Sequence, residues 1–334
     1  MIKPLASGVV ALGTAVLSVL GFASVAVADP ACATNCVVTF SPGAQTTWTV
    51  PSSAVSVSIA VAGGAGGSNT LFDTTLVPGG GGGTVSTELG TTYDGETLHI
   101  LVGAKGQTIT VGADVVASGG GGSYVSVPGA FLVIAGGGGG AGQWIDTASS
   151  TNTGLVGGDG GWATTSADGA AGEDPTGVAV SGSGAIGAAP GGPAAAALGL
   201  TQGGTGTVAS VAPDGTIAAG DGGAPGNYLD FPVAQGGGGL AGGGGGSSLA
   251  TTNQNYAGAG GGGSAFLASG LTGAGTTSNA SDGVITITYS LPTLAETGVV
   301  VDWRLVAGAA VAVVLGALFL VLSLRRSRRG FHRA

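Results

Sequence analysis

Glycine stands in unbroken runs along this chain: Gly79 to Gly83, Gly119 to Gly122, Gly136 to Gly140, Gly236 to Gly239, Gly242 to Gly246 and Gly260 to Gly263. Each Gly inside an α-helix costs roughly 1 kcal/mol relative to Ala, so these runs exclude α-helix over most of the sequence. Collagen is excluded as well, because no strict Gly-X-Y period is sustained. Two fates remain for such segments. One is a flexible Gly/Ser-type linker. The other is a set of extended threefold helices of the polyproline-II type, packed side by side. Such a helix makes no internal hydrogen bonds, so its N–H and C=O groups need partners on neighbouring chains, and only Gly lets backbones approach that closely.

Strand signals alternate with the runs. Cys36 to Phe40 and Thr46 to Val50 flank the turn residues Ser41-Pro42-Gly43, and Val55 to Val61 alternates strictly between apolar and polar. Thr84 to Leu89, Thr97 to Val102, Ser123 to Val127, Phe131 to Ile134 and Gly283 to Tyr289 carry the same character. Period-two alternation of β-branched residues marks half-buried strands, and several at regular spacing predict an antiparallel β-sandwich. Val57, Ile59, Val61, Ile134, Ile285 and Ile287 are the expected inward residues. From about Gln143 to Asn255 the chain is almost wholly Gly, Ala, Ser, Thr and Asp, and is read as loop or threefold helix, loosest between Ala163 and Ala219.

The two ends point to export. Lys3, an apolar stretch from Leu5 to Val27 and the small residues Ala26-Val27-Ala28 make the three parts of a secretory signal peptide over 1–28. Cleavage is expected between Ala28 and Asp29. Residues 305–324 form an uncharged stretch long enough to span a bilayer as a helix. Five arginines follow in 325–334, which places that tail in the cytoplasm. Between the ends, the exported piece holds one Lys and sixteen acids, a net charge of −15. That balance offers no cationic footprint for nucleic acid. Cys32 and Cys36, in a short N-terminal arm over 29–35 and at its boundary, are spaced to close a small disulfide loop in an oxidising compartment. A two-thiol metal site there lacks a nearby His.

Leu294-Ala295-Glu296-Thr297-Gly298 lies in a linker over 291–304, just ahead of the apolar stretch. Pentapeptide, apolar helix and basic tail in this order resemble the cell-wall sorting signal of Gram-positive surface proteins. Ala295 stands where the common signal has Pro, and this form resembles the one read by class E sortases of high-GC Gram-positive bacteria. The resemblance implies cleavage between Thr297 and Gly298, with Thr297 joined to peptidoglycan. A second resemblance covers residues 36–290. Phe40-Ser-Pro-Gly43, Trp48-Thr-Val50-Pro51, Val55 to Gly67, Phe131 to Gly138, Gly260 to Phe266 and Asp282 to Tyr289 look like bacterial glycine-rich domains related to that of the anaplastic lymphoma kinase receptor. It implies a β-sandwich sprouting polyglycine helices.

Chemistry-bearing motifs are few. Gly182-Ser-Gly184-Ala-Ile-Gly187 fits a dinucleotide fingerprint, but Pro190 and Pro193 forbid the helix that such a site needs. His99 is the one histidine of the exported piece, and alternation turns it away from Leu98 and Ile100, toward the surface. Asp159, Asp168, Glu173, Asp174 and Asp221 are calcium-ligand types without a calcium-binding repeat, and are expected to hold turns. No catalytic, metal or cofactor site is expected. The sequence predicts a wall-anchored surface protein with a structural or adhesive module, the competing reading being a flexible, disordered wall spacer without a ligand.

Overall fold

The computed structural model describes residues 35–292, apart from 71–75, 112–113, 147, 150, 162–167, 175–178, 194–201, 227–232, 251–253 and 276–277. The described residues are all-β, and every pairing between strands is antiparallel. The two largest sheets use β1 (Cys36–Phe40), β2 (Thr46–Thr49), β3 (Ser56–Ala62), β4 (Thr84–Glu88) and β5 (Thr97–Leu101). They are completed by β6 (Ser123–Val127), β7 (Ala130–Ala135), β8 (Phe266–Leu267), β9 (Gly273–Ala274) and β10 (Val284–Ser290). The first sheet runs in the order β1-β10-β3-β4-β9 and the second β8-β7-β6-β5-β2.

One apolar core joins the two sheets. From the first sheet come Val57, Ile59 and Val61 of β3, Val85 of β4, and Ile285, Ile287 and Tyr289 of β10. The second contributes Trp48, Leu98, Ile100, Val125 and Val133. Alternation places them: Ile287 lies opposite Ile59 and Ile285 opposite Val61 in register, so their side chains share a face. Trp48 crosses between the sheets to Tyr289, with ring centroids 5.5 Å apart.

Ile134 departs from the expectation. It is fully buried, but on the opposite face of its sheet, in a second cluster with Tyr124, Ala209 and Ile217. A register shift between Val125 and Ser126 interrupts the pairing of β6 with β7, and one slipped residue reverses which face a side chain takes. The low-complexity interval also holds more strand than expected. Gly142–Asp146, Thr151–Leu155, Ser248–Ala250 and Gln254–Ala257 make a four-stranded sheet. There Trp144 pairs with Tyr256, stacked at 5.9 Å.

The glycine runs obey a three-residue rule. Gly136 and Gly139 donate to the carbonyls of Gly161 and Gly158, Gly137 and Gly140 to those of Gly238 and Gln235, and Gly138 and Ala141 to those of Gly64 and Gly67. Successive N–H groups of one run therefore reach three different neighbours in rotation. The same rotation recurs from Gly242 to Ser247. Gly242 and Gly245 bond Thr207 and Gly204, Gly243 and Gly246 bond Gly237 and Ala234, and Gly244 and Ser247 bond Ser183 and Val180. Parts of the stretch expected to be loosest join in, since Gly169 and Gly172 donate to Ala185 and Gly182. Glycine is required sterically: a Cβ at Gly138 would fall on the carbonyl oxygen of Gly80, and one at Gly244 on that of Gly192.

Two predictions follow from this packing. Ile285→Ala should cost about 2–5 kcal/mol by emptying a closed core position, read as a fall in denaturation midpoint. Gly138→Val and Gly244→Val should each lose several inter-segment bonds, worth about 0.5–1.5 kcal/mol net apiece, and gain protease sensitivity. Gly192→Ala is the control: nothing lies within 4 Å of its Cβ position, so its stability should be unchanged or slightly raised. Equal, neutral melting curves for all three glycine variants would contradict a packed bundle.

Candidate functional site

The sorting pentapeptide Leu294 to Gly298, the cleavage pair Ala28 and Asp29, Cys32, and the apolar stretch 305–324 with its basic tail all lie outside the described residues. Among the described residues no helix is long and apolar enough to cross a membrane. Cys36 is described: it opens β1, is buried in the core and is disulfide-bonded. The chain's one other cysteine is Cys32.

What the structure does assemble is the periphery of the glycine bundle, where backbone N–H groups run out of neighbouring carbonyls. Carboxylates take the vacant role. Asp159 Oδ1 accepts the Gly81 N–H at 2.6 Å, Asp168 Oδ1 that of Gly187 at 2.9 Å and Glu173 Oε2 that of Val156 at 3.1 Å. Asp174 Oδ1 accepts two, from Val180 and Ser181 at 2.8 and 2.6 Å. Asp282 Oδ1 accepts from Lys105 N at 2.8 Å. Most of these clasp segments distant in sequence, rather than holding local turns as expected. Asp146 and Asp214 do hold turns. The Ser149 hydroxyl and then the Ala148 N–H hold the Asp146 carboxyl below its usual range, and the Thr216 N–H does the same for Asp214.

A second set of residues, missed in the sequence, pins the bundle to the sheets. Tyr124 projects from β6 into the glycines, where its hydroxyl donates to Gly239 O at 2.9 Å and accepts from Gly220 N at 3.0 Å. Burial pushes its pKa far above the usual phenol range. Ser264 Oγ accepts from Ala241 N at 3.1 Å and donates to Gly187 O at 2.5 Å. Asn279 Nδ2 donates to Gly63 O at 2.8 Å, while its backbone pairs with Gly82. Only Ser264 directly borders a glycine run, Gly260 to Gly263, and no such signal marks Tyr124 or Asn279.

His99 is half-buried rather than at the surface. The Cα of Gly215 packs on its ring, in the hairpin of Ser210–Val211 and Ile217–Ala218. Gln45 fastens that hairpin: its Oε1 accepts from Ile217 N at 2.9 Å, and its Nε2 donates to Gly215 O at 2.8 Å and lies 3.3 Å from His99 Nδ1.

Among the described residues, two concavities stand out. One, of about 240 Å³, is walled by glycines 119–122, 220, 222, 236 and 238, with Asp221 at its margin. The other is a groove of about 320 Å³ on the outer face of the first sheet, lined by the hydroxyls of Ser58, Ser86, Thr286 and Thr288 beside Glu88. Both offer hydrogen-bonding groups. Among the described residues no three His, Cys, Asp or Glu side chains gather as a metal site. The fingerprint-like Gly182 to Gly187 instead lies in the bundle, with Gly182 and Ala185 donating to Ala259 and Gly262.

No curated protein matches the sequence. A family model described as a glycine-rich domain matches residues 39–290, from within β1 to the last residue of β10, and so takes in both sheets and every glycine run. By that match the chain belongs to the glycine-rich domain family.

Proposed function

We propose that this is a non-catalytic surface protein, anchored to the cell wall, whose glycine-rich domain serves as a rigid structural or adhesive module. In this reading the domain is a β-sandwich bearing a bundle of polyglycine helices of the polyproline-II type. The observation that carries it is the rotation of hydrogen-bond partners every three residues along Gly136 to Ala141 and Gly242 to Ser247. A helix with three residues per turn and no internal bonds produces that rotation, whereas a flexible spacer has no fixed partners. Anchoring is supported by the order of features in the sequence: signal-peptide pattern, domain, Leu294 to Gly298, apolar stretch, arginines. A class E-type sortase would be the transient partner, the membrane helix holding its substrate until Thr297 is joined to peptidoglycan. Neither nucleic acid nor a cofactor has a place in this reading.

Muramidase digestion should release the protein with wall fragments bound at Thr297, and Thr297→Ala should shift it to the detergent-extractable fraction. Complete detergent extraction of the unaltered protein, with its arginine tail still present, would refute anchoring. The module is tested separately by amide hydrogen exchange. Protection of Gly137, Gly138, Gly243 and Gly244 amides is expected, and exchange at free-peptide rates would return the reading to a spacer.

A further inference from the structure

Among the described residues, the two-sheet body has one blunted side and one side with longer terminal strands. On the blunted side the terminal strands are β8 and β9, of two residues each. Short strands offer little edge for another chain to pair with. On the other side the terminal strands are β1, of five residues, and β2, of four. They share that side because a short connection, Ser41 to Gln45, joins them, and because Trp48 of β2 contacts Tyr289 of β10, the neighbour of β1.

Natural edges are usually protected by charge, Pro or a bulge, and β1 has none of these. Its register against β10 runs unbroken from Cys36 to Phe40. No Lys, Arg, Asp, Glu or His occurs anywhere from residue 30 to residue 72. Val37 is 60 % exposed, and Thr39 is exposed beside it.

We propose that β1 is a self-association strand, which pairs antiparallel with β1 of a second copy. The choice of occupant rests on charge. Residues 29–297 carry a net −15, so two copies repel over most approaches, and β1, within the charge-free stretch 30–72, is where they meet at least cost. A strand pairing antiparallel with itself is isologous and closes as a two-fold dimer. It also continues the first sheet across both copies by strand addition. With Val38 on the two-fold axis, Val37 of one copy lies against Thr39 of the other, a β-branched cross-strand pair. The inference does not depend on wall anchoring.

The test is the mass of the full-length chain in mild detergent, measured by light scattering and sedimentation over a concentration series. A monomer–dimer equilibrium is expected for the unaltered chain. Val37→Lys and Thr39→Lys should each raise the dissociation constant by about tenfold or more, about 1.4 kcal/mol. Ala60→Lys, exposed on the same sheet but on the inner strand β3, should leave it unchanged. Near-ultraviolet circular dichroism verifies that the variants are folded. A monomer at every concentration overturns the proposal. So does a dimer that both β1 variants leave intact, because association then uses another surface, such as the apolar C-terminal stretch.

Discussion

The fold depends on backbone hydrogen bonds between segments that have none within themselves. An α-helix satisfies its own backbone, and a strand needs only two neighbours. A glycine segment such as Gly136 to Ala141 bonds three in rotation. No single run is therefore stable alone, and glycine, which loses more freedom on folding than any other residue, makes that worse. The sheets supply the missing order. Gly63 follows directly on β3 and Gly83 directly precedes β4, while Gly122 precedes β6 and Gly136 follows β7. Each of these segments thus starts or ends at a point fixed by a strand. Close approach then follows from the absence of side chains: where a Cβ would collide with a carbonyl, the Cα hydrogen instead faces it, a weak contact that recurs across the bundle.

The sheets were legible because alternation reports burial directly. Val57-Ser58-Ile59-Ala60-Val61 and Ile285-Thr286-Ile287-Thr288-Tyr289 announce both strand and face, and both are buried as their period dictates. Ile134 was misplaced because Leu132 is an extra residue in β7, where Phe131 and Val133 pair with the adjacent Ser126 and Val125, and no local pattern marks that bulge. The two-residue strands β8 and β9 were illegible for another reason: they are defined by the neighbours they meet, Val133 with Leu267 and Thr87 with Gly273, not by any local pattern. Within the bundle, composition indicates threefold packing but cannot say which run meets which, since one glycine is chemically the same as the next. The polar keys were hidden likewise, because nothing local distinguishes the hydroxyl of Tyr124 from that of a solvated tyrosine.

The two outer faces of the body are used differently. That of the second sheet is covered: Tyr124 and Ile134 lie beneath Ala209 and Ile217, and His99 beneath Gly215. Among the described residues nothing covers that of the first sheet, with Ser58, Ala60, Ser86, Thr286 and Thr288 along it. Small hydroxyl and methyl groups keep such a face wet without many charges. This is how a chain with only 7 % charged residues carries a large exposed sheet, and why the uncharged stretch from 30 to 72 does not stand out by composition alone.

The acidity of residues 29–297 has a structural source as well as a solubility role. At the edge of the glycine bundle some N–H groups face outward from a run whose remaining partners are already placed. A carboxylate oxygen imitates the absent carbonyl, and its charge strengthens the bond. Asp159, Asp168, Glu173, Asp174 and Asp282 all act this way. An ammonium group has nothing to accept with, so lysine is useless in these positions. The inverse need, a donor for an outward carbonyl, is commonly met by water. It is met here once by protein charge, where Lys105 Nζ donates to Ala280 O at 3.1 Å while its own N–H is held by Asp282. Sixteen acids against one lysine is therefore partly a consequence of backbone geometry: donors at the rim require acceptors, and aspartate supplies them at the least length of side chain.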